Sequence, residues 1–337
     1  MRAWQMNGPT LEKLLLVERA EPAPKPGEVV IQVKATSLNY RDLLIATGAY
    51  RIGAKYPIVP LSDGAGEVVA VGSDVKRFKV GDRVVSSFFY GWVDGEQTAA
   101  RSATALGGGA VDGMLADRVA LPEEGVLATP SFMTDAEAAT LPCAAVTAWH
   151  ALYEGEDPLR PGQTVLLEGT GGVSIAALQI AKMGGARVVI TSSSDGKLAR
   201  ARELGADETI NYRTNPEWQD AVRKWTGGRG VDHVVEVGGK DTLGRALQAL
   251  RYRGQLHLIG GVSGFATDLP LGAMAANNAR VRRIYVGSVA MFESMNRAFE
   301  AHRVRPVVDR TFPFAEARAA FEHMKGASHF GKIVIAI

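Results

Sequence analysis

The sequence predicts an α/β protein with a doubly wound parallel sheet and a second, mostly-β domain. Residues 164–191 read as strand, glycine turn, helix and strand, which is the pattern of a β-α-β unit. Residues 195–259 continue to alternate helical and strand patterns, as expected for a parallel sheet covered by helices. Residues 1–125 instead show short strands bounded by glycines, which is typical of a small barrel.

The glycine turn of the β-α-β unit predicts a dinucleotide site. Residues 169–174 read GTGGVS. Gly169 allows a tight exit from the strand, and Gly171 lets the backbone approach a pyrophosphate. Ser174 stands where the third glycine of the fingerprint normally lies, and it is small enough for close packing of helix and strand. The helix N-terminus then offers N–H groups and a positive dipole end to an anion.

The end of the second strand favours NADPH over NADH. Enzymes that use NAD place an acid there for the ribose 2′-OH, whereas this chain has the neutral Ser192 and Ser193. Lys197 follows within reach of a 2′-phosphate, and Tyr212 stands after the third strand. The carboxylate of Asp195 would disfavour NADPH binding if it pointed toward the cofactor site.

Composition excludes several classes of protein. The chain has 337 residues, enough for about two domains. Its net charge of +2 gives no reason to expect nucleic acid or an anionic membrane as a partner. No apolar run is long enough to span a membrane, and no targeting pattern opens the chain. The one cysteine, Cys143, excludes an intrachain disulfide and fits a reducing compartment.

Local patterns predict the elements of the first domain in order. Strands are expected at 29–35, 64–72 and about 80–85, with a short helix over 39–47. Residues 90–113 are rich in Gly, Ala, Ser and Thr and predict a long loop.

The rest of the chain is predicted in the same way. Thr134 is a plausible N-cap for a helix over 135–139, and a second helix runs to Leu152. Ser194 or Asp195 caps the helix that ends at Leu204. Further strands are expected at 209–212, 231–237, 255–259, 284–286 and 332–337, and further helices at 217–225, 243–250, 292–302 and 316–325.

Several segments together resemble the medium-chain dehydrogenase/reductase superfamily. They are LNYRD at 38–42, GAGEV at 64–68, GDRV at 81–84, LPCAAVTAW at 141–149 and GKIV at 331–334. The resemblance implies a GroES-like mostly-β catalytic domain made from residues 1–127 and 271–337. It implies a central Rossmann domain over residues 128–270 and hydride transfer with a nicotinamide cofactor.

The residues at the zinc positions of this superfamily predict that no metal is bound. Asn39 stands where the zinc branch has a cysteine, and Ser62-Asp63 stands where it has a histidine and an acid. Cys143 alone keeps a residue type that binds zinc, whereas a catalytic site needs three protein ligands. Cys143 is better interpreted as a small buried residue.

Without zinc, another group must supply a proton and polarise the reacting oxygen. Tyr50 matches the position of a tyrosine proposed as proton donor in related enoyl reductases, although packing against the cleft is an equal alternative. Asn39 could hold the nicotinamide ribose or the substrate carbonyl. Asp63 is a weaker catalytic candidate, since it could simply satisfy backbone N–H groups or pair with Arg41.

The predicted cofactor contacts extend beyond the turn and the strand end. They are Asn39, Thr147, Gly169, Thr170, Gly171, Gly172, Val173, Ser192, Ser193, Lys197, Tyr212, Ile259, Val286, Gly287, Phe330 and Lys332.

The sequence therefore predicts a cytoplasmic, zinc-independent, NADPH-dependent reductase of a quinone, an α,β-unsaturated carbonyl or a related aldehyde or ketone. The alternatives are an alcohol dehydrogenase acting on simple alcohols and a nucleotide-binding or redox-sensing protein without turnover. A homodimer is expected from the resemblance, with residues 284–286 as the candidate edge strand.

Overall fold

The computed structural model describes residues 1–50, 54–109, 111–264, 268 and 270–337. They form two compact units, Met1–Val146 with Val286–Ile337 and Thr147–Tyr285. The sequence placed the boundaries earlier, at 127/128 and 270/271. At the first boundary the first unit extends further, because the helix Asp135–Ala138 and the π-helical turn Leu141–Ala145 pack on its strands. At the second boundary the second unit extends further, because the strand Arg280–Arg283 pairs with the strand Leu250–Leu258.

The strands follow one another along the chain with these bounds: β1 (Arg2–Met6), β2 (Leu14–Glu18), β3 (Glu28–Ser37), β4 (Asp63–Val71), β5 (Arg83–Ser86), β6 (Arg118–Pro122), β7 (Val126–Ala128), β8 (Thr164–Glu168), β9 (Arg187–Ser192), β10 (Glu208–Asn211), β11 (Val231–Glu236), β12 (Leu250–Leu258), β13 (Arg280–Arg283), β14 (Val308–Pro313) and β15 (Lys332–Ala336).

The α-helices have these bounds: α1 (Tyr40–Ala46), α2 (Ala99–Ser102), α3 (Asp135–Ala138), α4 (Val146–Tyr153), α5 (Gly172–Met183), α6 (Asp195–Glu203), α7 (Trp218–Trp225), α8 (Leu243–Ala249), α9 (Leu271–Ala276), α10 (Val289–His302) and α11 (Ala317–Lys325). In the part of the chain that the structure describes, no helix combines the length and the apolar character needed to cross a bilayer.

The second unit is built on a six-stranded parallel sheet of order β10-β9-β8-β11-β12-β13. The central strands β8 and β11 are buried along their whole length, as expected for parallel strands covered on both faces. The order reverses between β8 and β11, so their carboxyl ends form the crevice in which such sheets bind ligands. The predicted doubly wound sheet is confirmed.

The first unit contains a seven-stranded sheet of order β14-β15-β3-β4-β5-β7, with β6 also paired to β3. Strand β15 pairs antiparallel with β3, with Val334 opposite Ser37, so the end of the chain completes this sheet. Gly66 on β4 is required by close packing, because an added Cβ would lie 2.0 Å from the carbonyl oxygen of Gln32. The predicted mostly-β character of this unit is confirmed.

One predicted strand is wrong. Residues 284–286 were expected to form a strand on the strength of their Ile-Tyr-Val pattern, but the strand that pairs with β12 is β13, Arg280–Arg283. Backbone hydrogen bonds set the register of β13 with β12. The arginine side chains of β13 do not prevent this pairing, because β13 lies at the edge of the sheet. Strand β13 is therefore the edge strand of this sheet.

Candidate active site

The glycine turn leaves an open, donor-rich surface at the start of α5. The helix begins at Gly172, and its N-cap residue Gly171 has extended backbone and no side chain with which to cap the first N–H groups. An added Cβ at Gly169 or Gly171 would meet nothing within 4 Å, so the turn faces free space. Gly169 also has a φ of 69°, a conformation that favours glycine. These features fit a pyrophosphate.

Ser174 ties this helix to the strand before it. Its side chain is 1% exposed, and its hydroxyl donates a hydrogen bond of 2.7 Å to the carbonyl oxygen of Glu168. Ser174 is therefore the small packing residue that was predicted, and it also forms a hydrogen bond to the strand. Thr170 lies buried in the same turn, and Val173 is half-buried on the first turn of α5.

The end of β9 carries hydroxyl groups that are already organised by the backbone. The Ser192 hydroxyl accepts a bond of 3.3 Å from the Ser194 N–H, and Ser194 caps α6 by accepting from the Lys197 N–H. Ser193 and the Lys197 side chain are half-buried. Asp195 is exposed, and its carboxylate accepts a bond of 2.7 Å from the Asn211 amide.

The other residues of the second unit that were predicted to contact the cofactor differ in their burial. The Tyr212 side chain is 41% exposed beside this strand end, and its N–H donates to the Ser192 carbonyl oxygen. Ile259 follows β12, where its N–H donates to the carbonyl oxygen of Glu236. Thr147 is buried on α4. Their contacts with a cofactor stay predictions.

A buried carboxyl pair adjoins the glycine turn, and sequence reasoning missed it. Glu168 is the last residue of β8 and Glu236 the last of β11, and both are almost fully buried. Burial and the neighbouring Glu236 raise the pKa of the Glu168 carboxyl well above its usual range. An acid that ends a buried apolar strand just before a glycine turn is the signal that could have identified it.

In the first unit, strands β3, β4 and β15 bring together the residues at the superfamily's zinc positions. The Lys332 ammonium, 6% exposed, lies 2.5 Å from Asn39 Oδ1 and 2.6 Å from the Leu38 carbonyl oxygen. It also lies 3.5 Å from Asp63 Oδ2. The Ser62 hydroxyl donates a bond of 2.6 Å to Asp63 Oδ1. The ammonium of Lys332 thus contacts Asn39 and Asp63 of its own unit, and the predicted contact of Lys332 with the cofactor stays a prediction.

This set of donors does not fit a catalytic zinc. A lysine ammonium occupies the space beside the oxygens of Asn39 and Asp63 and would repel a metal cation. Burial, with a contribution from Asp63, raises the pKa of the Cys143 thiol to about 12, whereas zinc binds the thiolate. Among the described residues, no group of three or more His, Cys, Asp and Glu side chains could hold a metal.

The remaining predicted residues also lie in the first unit. Tyr50 follows α1, where its N–H donates to the Leu44 carbonyl oxygen and its side chain is half-buried. Phe330 is 1% exposed, and Val286 is buried with a φ of 55°. An added Cβ at Gly287 would lie 2.7 Å from Val146 Cγ1. Their contacts with cofactor or substrate stay predictions.

Two family models match the chain. Residues 25–131 match the alcohol dehydrogenase GroES-like domain, and residues 172–301 match the zinc-binding dehydrogenase domain. A zinc-type alcohol dehydrogenase-like protein, C1773.06c of Schizosaccharomyces pombe, is 45% identical over 317 residues, which cover 93% of this chain and 91% of that protein.

This chain belongs to the medium-chain dehydrogenase/reductase superfamily. Quinone oxidoreductase-like protein 2 of Bos taurus is 27% identical, with 97% of this chain and 90% of that protein covered. This relative extends the similarity to a quinone oxidoreductase-like member.

Solved structures agree with this assignment. The crystal structure of an alcohol dehydrogenase from Sinorhizobium meliloti 1021 has a TM-score of 0.92 and 40% identity, and covers 100% of this chain and 98% of that one. The mycobacterial protein Rv1454c complexed with NADPH has a TM-score of 0.84 and 26% identity over 100% of both chains. The protein is an NAD(P)H-dependent oxidoreductase with a GroES-like and a Rossmann domain.

Proposed function

We propose that this protein is a zinc-independent, NADPH-preferring reductase that transfers hydride to a quinone, an α,β-unsaturated carbonyl, or a related aldehyde or ketone. The observation that carries the proposal is the Lys332 ammonium between Asn39 and Asp63. It supplies a fixed positive charge at the positions where the zinc branch of the superfamily has its metal ligands.

The contacts of Lys332 determine what Asn39 offers. An ammonium has three N–H donors and no acceptor, and those of Lys332 face Leu38 O, Asn39 Oδ1 and Asp63 Oδ2. The atom of Asn39 beside the ammonium must therefore be its oxygen. The Asn39 Nδ2 group, which lies 3.4 Å from the Ser62 hydroxyl, is then the end that can donate to a carbonyl oxygen. When bound, NADPH supplies the hydride.

Tyr50 is the proposed proton donor. A phenol with a pKa near 10 remains protonated at neutral pH and can donate to a developing enolate. Tyr50→Phe removes only the hydroxyl, so we expect kcat to fall ~10²-fold or more while NADPH affinity is retained. Single-turnover and steady-state rates with one active substrate measure this, and unchanged turnover would assign Tyr50 to packing.

The preference for NADPH is supported by the end of β9. Ser192 and Ser193 are neutral, and Lys197 can bind a 2′-phosphate. Asp195 is engaged with Asn211 at an exposed position, so its carboxylate has a partner other than the ribose. The ratio of kcat/KM for NADPH and NADH measures the preference.

A second candidate is an alcohol dehydrogenase acting on simple alcohols, which is favoured by the similarity to two proteins described as alcohol dehydrogenases or as like them. Oxidation of NADPH by quinones, enones, aldehydes and ketones, and reduction of NADP⁺ by simple alcohols, distinguish the two. Tight NADPH binding with no turnover on any of these would instead favour a nucleotide-binding or redox-sensing protein.

The absence of zinc has its own test. Elemental analysis of protein purified without added metal is expected to find well below one zinc per chain, and a chelator should leave turnover unchanged. Stoichiometric zinc that is lost together with activity would contradict the proposal.

We also propose a cytoplasmic homodimer. The single cysteine favours a reducing compartment, and β13 is an edge strand that can pair with a second copy. Light scattering at micromolar concentration should give about twice the chain mass of 35.9 kDa.

A further inference from the structure

Two carboxyl groups meet at the crevice end of the central strands of the second unit. Glu168 is 4% exposed and Glu236 0% exposed. Glu236 Oε1 accepts bonds of 2.8 Å from the Gly239 N–H and 2.7 Å from the Thr242 hydroxyl. Glu168 Oε2 accepts a longer bond of 3.4 Å from the Gly238 N–H. One oxygen of each carboxyl group is therefore satisfied by the turn after β11.

The other oxygen of each group has no donor among the described residues. Glu168 Oε1 and Glu236 Oε2 are buried and have no hydrogen-bond partner among the described residues, and the two residues lie side by side because β8 and β11 pair in parallel with Leu167 opposite Val235. Two ionised carboxylates at neighbouring strand ends would repel each other and leave both oxygens unsatisfied, which is costly in a buried site. A single proton between them satisfies both oxygens and removes one charge.

We propose that Glu168 and Glu236 share one proton, and that the resulting bridge is a positioning element that holds the turns of the dinucleotide site. This inference rests on the proposed site for NADPH. The bridge connects the end of β8 to the end of β11, and neither residue needs to touch the cofactor.

The bridge connects three turns. The Glu168 carbonyl oxygen accepts from Ser174 at the start of α5. The Glu236 carboxyl group binds the turn at Gly239 and Thr242. The Glu236 carbonyl oxygen accepts from the N–H groups that follow β12, at 2.9 Å from Ile259 and 3.2 Å from Gly260. Loss of the shared proton would therefore disturb three strand-end turns together.

The charges around the pair determine the direction of its pH response. Its neighbours on the flanking strands are the neutral Thr191 on β9 and Leu258 on β12, and Ser174 of α5 is neutral. The backbone N–H groups of Val237 and Gly238 favour the ionised form of Glu168. Among the largest influences on Glu168, Glu236 is the charged side chain, and it favours the protonated form.

The sign of the pH dependence follows from this arrangement. Burial and then Glu236 raise the pKa of the Glu168 carboxyl group. The stability that the bridge contributes is thus fully present below the pKa of an unfolded glutamic acid, about 4.3, and is lost as pH rises through the raised value. A second negative charge beside the turn also opposes a pyrophosphate, so NADPH affinity should fall over the same range.

The decisive variant is Glu168→Gln, whose amide donates a permanent N–H to Glu236 Oε2. As pH rises through the raised pKa of Glu168, we expect wild-type NADPH affinity to fall ~10-fold, the change produced by a one-unit difference in pKa between free and bound protein. Glu168→Gln should keep wild-type affinity at neutral pH within about threefold and change by less than about twofold across the range. Isothermal titration calorimetry measures both.

Thermal unfolding of the cofactor-free protein provides an independent measurement. Wild-type Tm should fall at alkaline pH relative to that of Glu168→Gln, whereas Glu168→Leu, which leaves Glu236 Oε2 unpaired, should lower Tm at every pH. Asp232→Asn, at the other end of β11, is the matched control and should leave the alkaline slope of NADPH affinity unchanged.

The possible outcomes separate this proposal from the proposed function. Parallel Tm profiles of wild type and Glu168→Gln at alkaline pH would overturn the shared proton. A wild-type Tm that falls relative to that of Glu168→Gln at alkaline pH, together with identical slopes of NADPH affinity, would overturn the positioning role. A protein that shows the Tm effect but binds no NADPH would retain the shared proton and overturn the cofactor assignment.

Discussion

The two ends of strand β11 hold buried acids in opposite electrostatic settings. At the amino end, Asp232 is 1% exposed and bonds Arg229 at 2.6 Å, Arg251 at 2.5 Å and the Thr164 N–H at 2.9 Å. At the carboxyl end, Glu236 meets another acid, Glu168. Burial alone would raise the pKa of Asp232, but these three donors outweigh it and lower the pKa to about 2. The pKa of Glu168 is raised.

The acids at both ends are almost inaccessible to solvent, but Asp232 lies beside partly exposed arginines, so the partners are the clearest difference between the two ends. At the amino end, two arginines neutralise the carboxylate of Asp232, which we expect to stabilise the sheet. The carboxyl end, where parallel sheets bind ligands, retains a group whose protonation can change. We therefore expect substitutions at the amino end to alter folding and substitutions at the carboxyl end to alter cofactor binding.

The largest expected effect is that of Asp232→Ala. It removes the partner of Arg229, Arg251 and the Thr164 N–H, so we expect the free energy of unfolding to fall by about 3–5 kcal/mol, at the low end because Arg229 is largely exposed. Urea unfolding measures the change. Asp220→Ala, which removes an exposed acid of α7, is the control and should cost little. Equal losses of unfolding free energy in Asp232→Ala and Asp220→Ala would contradict the stabilising role assigned to the amino end of β11.

Lys197→Ala tests the carboxyl end of the sheet. Loss of a charge-assisted bond of ~1.5–3 kcal/mol should weaken NADPH binding roughly 10- to 150-fold and leave NADH binding nearly unchanged. Calorimetric titration with both cofactors measures this. Lys182→Ala removes a lysine that instead bonds Asp207 and the Ala186 carbonyl oxygen, and should change neither affinity. An equal loss of both cofactors in Lys197→Ala would show that the 2′-phosphate lies elsewhere.

The next prediction concerns His233, the neighbour of Asp232 on β11. Its Nε2 lies 3.2 Å from Gln163 Oε1 and its Nδ1 lies 3.1 Å from His257 Nε2. The Gln163 oxygen can only accept, so neutral His233 donates through Nε2 and accepts at Nδ1. Burial lowers the pKa of His233 to about 4. The imidazole ring is therefore neutral in this site at neutral pH.

The unfolded chain therefore binds more protons than the folded protein between the ordinary histidine pKa, about 6.5, and about 4. Stability is present above this window and is lost as pH falls through it, by roughly 3 kcal/mol for His233. His233→Gln should reduce this loss, which urea unfolding at several pH values measures. His302→Gln, at an exposed site, should keep the wild-type slope, and an unchanged slope in His233→Gln would contradict the assignment.

The smallest expected effect is that of Ser174→Ala, which removes one neutral hydrogen bond to the Glu168 carbonyl oxygen. The free energy of unfolding should fall by about 1 kcal/mol, and NADPH affinity should fall a few-fold because the start of α5 is less firmly held. Ser73→Ala, at an exposed turn, provides the baseline for both measurements. A Ser174→Ala variant as stable as Ser73→Ala would show that the bond to Glu168 contributes nothing.

The sequence predicted the second unit best where periodicity is strong. The β-α-β unit follows from local patterns, and the structure has it; in the first unit the same holds for the Thr134 cap. The strand at 280–283 was missed because three of its four residues are arginines, which do not form an apolar strand pattern. Its position is set by backbone pairing with β12.

The candidate site was only partly predictable for a related reason. The glycine turn is continuous in sequence, whereas Glu168 and Glu236 become neighbours only through the parallel pairing of β8 and β11. The contact of Lys332 with Asn39 likewise requires β15 to lie beside β3. A sequence pattern carries the residue types of such pairs but not the strand order that brings them together.

The pairing of β15 with β3 has a consequence for synthesis of the protein. The chain leaves the ribosome amino end first, so β3, with Asn39 and Asp63 just beyond it, emerges long before Lys332. All strands of the second unit lie between these segments in the sequence. Its sheet can therefore close while translation continues, whereas the sheet of the first unit, and the buried carboxylate of Asp63 with it, must wait until β15 has been made.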